Sequence, residues 1–317
     1  MRRKILFSVL FFSLVSSQAF AFWVWTPESR KWVNPKYSVK ETPQKQLEYG
    51  LEIAKAEEYK KAETEMAKLI KHYPKAREAA EAQFYIAEFQ EKQGDFNKAF
   101  ESYQMVIKKY PFTQRTNDVV RRQYEMASRL LDGHSEKKKE GFLAKVMISN
   151  VDLEEILSQV IKNAPYGEFA APAQYKIGLF LKGEGLLQEA RDAFEKTVND
   201  YPDSEWAKAA RYQIALADAD RSAGAGYDQK ITASAIEGFK EFVKDYPDAE
   251  LSKEAKDRIS LLREKEAENN FLIAQFYEKQ KKYDAAKVYY LIIMNEYADT
   301  DWARQASEKV QTLGKEK

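Results

Sequence analysis

The sequence has no cysteine and only two histidines in 317 residues. A cysteine nucleophile, a thiolate zinc site, an iron–sulfur cluster and a disulfide are therefore excluded, and cofactors and metals are not expected. Glycine and proline number 12 and 9, and they fall between the periodic segments rather than within them, which argues for an all-helical chain. An excess of one charge is also missing: 51 Lys and Arg stand against 50 Asp and Glu. With no long single-sign block, nothing here attracts nucleic acid. Lys137-Lys138-Lys139 is the one basic cluster, and it reads as a loop rather than a phosphate site.

Long apolar runs are absent except at the start, where Arg2, Arg3 and Lys4 precede an apolar stretch from Ile5 to Ser17 and then Ala19-Phe20-Ala21. That order is a secretory signal with a small-x-small cleavage site, and the stretch is shorter than the roughly 20 residues that span a bilayer. Residues 1–21 are expected to be removed, leaving 48 basic against 50 acidic residues. Without a cysteine the exported chain is expected not to be lipidated and to reside in the periplasm.

Catalytic groupings are hard to find. His72 sits just before a Tyr-Pro stop, where it suits a helix C-terminus, and His134 lies in an expected loop with no metal-ligand spacing. Gly183-x-Gly185 and Gly224-x-Gly226 lack the further glycine of a nucleotide-binding turn and follow no strand. Carboxylate pairs such as Asp152/Glu155 and Glu264/Glu268 are interleaved with Lys and Arg, the pattern of surface ion pairs. No catalytic residue is assigned, and an enzyme is not expected.

What is present is a repeat. Helix-length segments close on Tyr73-Pro74, Tyr110-Pro111, Pro165-Tyr166, Tyr201-Pro202, Tyr246-Pro247 and the degenerate Tyr297-Ala298. Proline cannot continue a helix, and an aromatic just before it can plug the groove to the next hairpin. Between Gln83 and Pro111, the residues Ile86, Ala87, Gly94, Phe96, Ala99, Tyr103 and Val106 fall on the large, small and turn positions of a tetratricopeptide hairpin. The same grid fits Gln46 to Pro74 and Gln174 to Pro202. The spacing predicts an all-α, superhelical tetratricopeptide-like array of about six hairpins plus a closing helix.

Wider spacing elsewhere predicts an exposed loop near Asp132 to Gly141, a second insertion at Ser222 to Gln229, and one long, partly buried helix from Ala249 to Gln280. The closing helix, Asp299 to Leu313, is expected to turn Trp302, Ala306, Val310 and Leu313 inward and Lys309, Lys315 and Lys317 to water. Residues 22–41 form an aromatic-rich arm in which Trp23, Trp25, Trp32 and Tyr37 surround Pro27 and Pro35. This arm reads either as a small hairpin or as an extended segment docked on the first repeat, with a membrane-surface or partner-binding role set against simple packing. Residues 42–165 are then N-terminal repeats and 166–313 C-terminal ones.

A stack of hairpins binds other polypeptides along its concave face. Tyr85, Phe89, Tyr124, Tyr175, Tyr212, Tyr277 and Tyr289 are the candidate partner-binding residues, with inter-hairpin packing as the alternative for each.

From about Glu168 to Leu313 the chain resembles the BamD family of outer-membrane assembly factors. The similarity rests on Tyr201-Pro-Asp-Ser-Glu-Trp-Ala, on Asp228-Gln-Lys-Ile-Thr-Ala-Ser-Ala235-Ile-Glu-Gly-Phe239 before Tyr246-Pro247, and on the long helix with Leu262-Arg263 and Phe276-Tyr277. Tyr283-Asp-Ala-Ala286 and Asn295-Glu-Tyr-Ala-Asp-Thr-Asp-Trp-Ala303 complete it. The resemblance implies a non-enzymatic periplasmic scaffold, peripheral at the inner face of the outer membrane. Its partners would be a POTRA domain of a BamA-like barrel insertase and unfolded outer-membrane proteins. Family members carry a lipidated cysteine that this chain lacks, and an Asn-Arg where this chain has Val288-Tyr289. A soluble adaptor of the Tol-Pal or cell-division type is the other function open to such repeats.

Overall fold

The computed structural model describes residues 23–26, 30–34, 38–140, 152–222 and 229–313. The expected signal segment, Pro27, Pro35, Tyr37, the inner part of the second insertion at 223–228, and Lys315 and Lys317 lie outside the described residues. The aromatic arm contains a hairpin: β1 (Val24–Thr26) pairs antiparallel with β2 (Lys31–Val33), placing Trp25 opposite Trp32.

All other regular structure among the described residues is helical. In chain order the helices are α1 (Pro43–Lys55), α2 (Tyr59–His72), α3 (Arg77–Lys92), α4 (Phe96–Lys109), α5 (Thr116–Glu140), α6 (Leu153–Asn163), α7 (Ala170–Gly183) and α8 (Leu187–Asp200). They continue with α9 (Glu205–Ser222), α10 (Gln229–Asp245), α11 (Glu250–Lys279), α12 (Tyr283–Glu296) and α13 (Asp301–Leu313). The pairs α1/α2, α5/α6, α7/α8, α9/α10 and α11/α12 pack together, α13 closes on α12, and α3 leads into α4 through the same tight turn. The chain divides into two compact units, one up to Phe89 and one from Gln90.

The repeat grid has a physical origin at each position. Glu57, Gly94, Gly185 and Lys281 each sit two residues beyond a first helix, with φ of 60°, 81°, 81° and 59°. The left-handed residue reverses the chain into the second helix, and glycine adopts it without the Cβ penalty. Seven residues before each of them lie Gly50, Ala87, Gly178 and Ala274, all buried. A Cβ on Gly178 would stand 2.5 Å from the Phe194 ring, and one on Gly50 2.8 Å from Met66 Cε. On the second helices, Ala62, Ala99, Ala190 and Ala286 and the large Met66, Tyr103, Phe194 and Tyr290 are fully enclosed. Small residues thus let the helices approach while large ones fill the remaining space.

The turn after each second helix is equally regular. The backbone N–H groups of Tyr73, Tyr110, Tyr201, Tyr246 and Tyr297 donate to the carbonyls of Leu69, Val106, Thr197, Phe242 and Ile293 at 2.8–3.1 Å. Each ring is half-buried, and the following proline, where present, holds its predecessor out of the helical region. At Pro165 the equivalent residue is Ala164, whose N–H reaches the Val160 carbonyl at 3.2 Å, while Tyr166 is 99% exposed. Pro165-Tyr166 therefore closes its segment without an aromatic plug: the residue before the proline takes that place, and here it is alanine.

Two further expectations change. Asp132 to Glu140 is the last part of α5, not a loop. One glycine costs a helix only about 1 kcal/mol relative to alanine, which the strong helix formers Glu136, Lys137, Lys138 and Lys139 offset. Lys309 does not simply face water; its Nζ donates to Glu278 Oε1 at 2.9 Å. The long and closing helices lie where the sequence puts them: α11 spans nearly the whole interval assigned to the long helix, and Ala306 and Leu313 of α13 are buried with Trp302 and Val310 packed beside them.

Candidate functional site

The unit from Gln90 onward sets the first helices of its later hairpins side by side, with α7 against α9, α9 against α11 and α11 against α13. A cleft of about 470 Å³ opens between the last three, lined among others by Asp220, Arg258, Leu261, Lys265, Glu268 and Trp302. The α11 contributors recur at helical spacing, one turn apart, so they form one stripe. Leu261 is 64% exposed on that stripe, an apolar side chain left in water within a charged rim.

The floor is fixed by hydrogen bonds between elements distant in sequence. Lys265 Nζ donates to the Ser222 carbonyl at 2.8 Å, tying α11 to the end of α9. Glu264 Oε1 accepts the Asp301 N–H at 3.1 Å and so caps the start of α13. Trp302 rests on Phe271 with ring centroids 5.0 Å apart. At the α7 end, Lys182 Nζ donates to Gln213 Oε1 at 3.0 Å and lies 3.7 Å from Asp220. Burial holds this ammonium below the usual lysine range against the pull of Asp220.

The aromatic candidates are distributed through the packing. Phe89 is buried, and Tyr85 and Tyr59 stack on it at 6.1 and 5.8 Å. Tyr124 lies 5.0 Å from Phe169, and Tyr175 sits between Phe194 at 5.5 Å and Trp206 at 5.3 Å. Tyr212 is buried against Phe239 and Phe242, both at 5.5 Å, and burial beside Glu254 pushes its hydroxyl up to about 12. Tyr277 and Tyr289 stack face to face at 5.7 Å, both half-buried. The structure brings this last pair together, and it places Tyr212 beneath the Glu254 and Arg258 side of α11.

Sequence reasoning passed over the cleft residues, because charged side chains on a helix look solvated until the neighbouring first helices are in place. It also passed over a repeated buried amide. Gln46 Nε2 donates to the Glu65 carbonyl at 3.1 Å and Gln174 Nε2 to that of Ala193 at 3.2 Å, each tying a first helix to its partner. Gln83 occupies the same position and is also buried; the recurrence of glutamine there was the available signal. Of the carboxylate pairs, Asp152 is a helix cap, accepting the Glu155 N–H at 2.9 Å. Among the described residues no group of three or more His, Asp or Glu is arranged to hold a metal ion, and no helix is long and apolar enough to cross a membrane.

Residues 217–314 match the family described as outer membrane lipoprotein (YfiO, the BamD family), and residues 81–113 and 172–204 match the tetratricopeptide repeat. The chain carries tetratricopeptide repeats and a BamD-like C-terminal segment. The BamD-like segment contains the whole cleft, and the two repeat matches fall on α3/α4 and α7/α8. No curated protein matches the chain. Similar solved structures include a tetratricopeptide repeat protein from Parabacteroides merdae, at 13% identity over 86% of this chain and 99% of that one, TM-score 0.36. Another is the C-terminal part of a repeat-containing protein from Cytophaga hutchinsonii, at 14% identity over 85% and 88%, TM-score 0.38. A third is a thermophilic repeat protein from Thermus thermophilus, at 16% identity over 70% and 98%, TM-score 0.32.

Proposed function

We propose that this BamD-like chain is a non-enzymatic periplasmic scaffold in outer-membrane protein assembly, and that the cleft between α9, α11 and α13 is one of its docking sites for polypeptide. The observation that carries the reading is the coincidence of the cleft with the segment matching the outer membrane lipoprotein family. The lining supports it. Carboxylates and cations alternate around the exposed Leu261, which suits an extended segment offering backbone groups, mixed charge and one apolar anchor. A POTRA domain of a BamA-like barrel insertase and the terminal strands of unfolded outer-membrane proteins are the partners this reading names, with Tyr277 and Tyr289 as a second contact.

The test is affinity capture from outer-membrane extract with the folded chain. The barrel insertase is expected in the wild-type eluate and reduced about tenfold with Leu261→Asp or Arg258→Glu, the loss of one anchor side chain. An eluate without the insertase overturns the proposal. A soluble adaptor of the Tol-Pal or division type would instead be released freely on osmotic shock.

A further inference from the structure

Trp23, Trp25 and Trp32 are exposed by 57%, 46% and 63%. Trp25 and Trp32 are cross-strand partners with ring centroids 5.8 Å apart, edge to face. Trp25 and Trp32 share one face of the hairpin, and Trp23, just before β1 and two residues before Trp25, has the spacing of that same face, because side chains in extended chain alternate with a period of two. An isolated two-stranded hairpin is marginal in water, and three solvated indoles on one face leave its largest apolar surface unused.

Charge adds a second, independent feature. Residues 22–41 hold Arg30, Lys31, Lys36 and Lys40 against Glu28 and Glu41. Of the 51 basic and 50 acidic residues in the sequence, residues 1–41 contain seven and two, which leaves 44 and 48 in the rest. The arm is therefore basic and the helical body acidic. Tryptophan prefers the boundary between water and lipid, and nearby Lys and Arg favour anionic headgroups. The arm is also fastened to the helices: Tyr73 donates its hydroxyl to the Lys40 carbonyl at 2.7 Å, the Lys40 N–H donates to Gln46 Oε1 at 2.8 Å, and Lys40 Nζ lies 4.1 Å above the Tyr49 ring.

We infer that the tryptophan face of the β1–β2 hairpin is a membrane-surface anchor for anionic phospholipid. Indole burial and basic residues supply two weak signals, the number that stable peripheral attachment requires. No residue of this sequence can carry a cysteine-linked lipid, and the arm begins where the expected signal cleavage would leave the new N-terminus. The inference rests on the proposed periplasmic function only for which membrane is met. Its test contains no insertase, so the two fail separately.

The experiment is co-sedimentation of the chain from Phe22 onward with protein-free vesicles of phosphatidylethanolamine and phosphatidylglycerol, with tryptophan emission read in parallel and brominated acyl chains as quencher. Binding, a blue shift and quenching are expected. Trp23→Ala/Trp25→Ala/Trp32→Ala should lower the bound fraction about tenfold or more while the helical circular dichroism is unchanged. Arg30→Glu/Lys31→Glu should weaken binding to the anionic vesicles and leave weak binding to pure phosphatidylcholine unaltered. Absence of sedimentation, or binding retained by the triple variant, would each overturn the inference.

Discussion

The Tyr290 hydroxyl donates to Glu278 Oε2 at 2.7 Å, while Lys309 holds the other carboxylate oxygen at 2.9 Å. Glu91, Tyr103 and Arg129 repeat the arrangement in α3, α4 and α5. In α7/α8 the corresponding residues are Lys182 and Phe194, the charge is inverted, and Lys182 turns to Gln213 and Asp220 on the next first helix. Tyr290→Phe is predicted to cost about 1–2 kcal/mol, since it removes one of the carboxylate's partners. Glu278→Gln together with Tyr290→Phe should cost less than the two changes added, by about 1 kcal/mol. Urea unfolding of the four proteins of the cycle measures this; strict additivity would refute the coupling.

Acidification should destabilise the last hairpin. The Arg263 hydrogen bond holds the Asp299 carboxyl below the usual range. For Glu278, burial raises the value, but hydrogen bonds from Lys309 and Tyr290 outweigh it and the net shift is downward. A lowered carboxylate contributes stability that is present above its unfolded pKa and lost as pH falls through the folded one. Thermal midpoints are expected to fall as pH drops from about 5 to about 3, and Arg263→Ala to flatten that slope. Glu266 has the opposite sign, because burial raises its pKa. Its stability loss grows as pH rises through the ordinary carboxylate range, so Glu266→Gln should be neutral or stabilising at neutral pH.

Gly178→Ala is predicted to destabilise by about 1–3 kcal/mol, because the new methyl meets the enclosed Phe194 ring and overpacks the hairpin. Adding Phe194→Leu should recover part of that loss, whereas Phe194→Leu alone is destabilising. Denaturant midpoints decide; a double variant no better than the sum would show that the ring is not the obstacle.

The left-handed turns give a prediction without any steric contact. Gly94 and Gly185 have nothing within 4 Å of a Cβ, so Gly94→Ala and Gly185→Ala test backbone strain alone. Each should cost about 1–2 kcal/mol. Lys281→Gly at the equivalent turn relieves the same strain and should cost nothing measurable or stabilise by up to about 1 kcal/mol. Equal losses from all three changes would contradict the shared turn.

The repeat was legible because each of its positions has a chemical requirement visible in one residue: tyrosine before proline, glycine or alanine where helices touch, an aromatic or methionine opposite. Pro165-Tyr166 has the letters of the signature in reverse order, and the physics concerns only the residue before the proline, which is Ala164. Gly133 suggested a loop, yet its neighbours favour the helix strongly enough to absorb it. The cleft was hidden for another reason. Glu264 and Asp301 are brought together across 37 residues of chain, and nothing local distinguishes Glu264 from a solvated carboxylate. The recurring Gln46, Gln83 and Gln174 are in plain view in the sequence, and only the fold supplies the carbonyls that Gln46 and Gln174 bind.

Helix α11 belongs to two cores at once. Ala255 and Leu262 join the cluster around Phe239, and Ala267, Phe271 and Ala274 join the cluster around Tyr290. Because the helix runs unbroken from Glu250 to Lys279, fraying one cluster withdraws the footing of the other. The last two hairpins should therefore melt in a single transition, and a pull on α13 should be felt as far back as α10 without any hinge to absorb it.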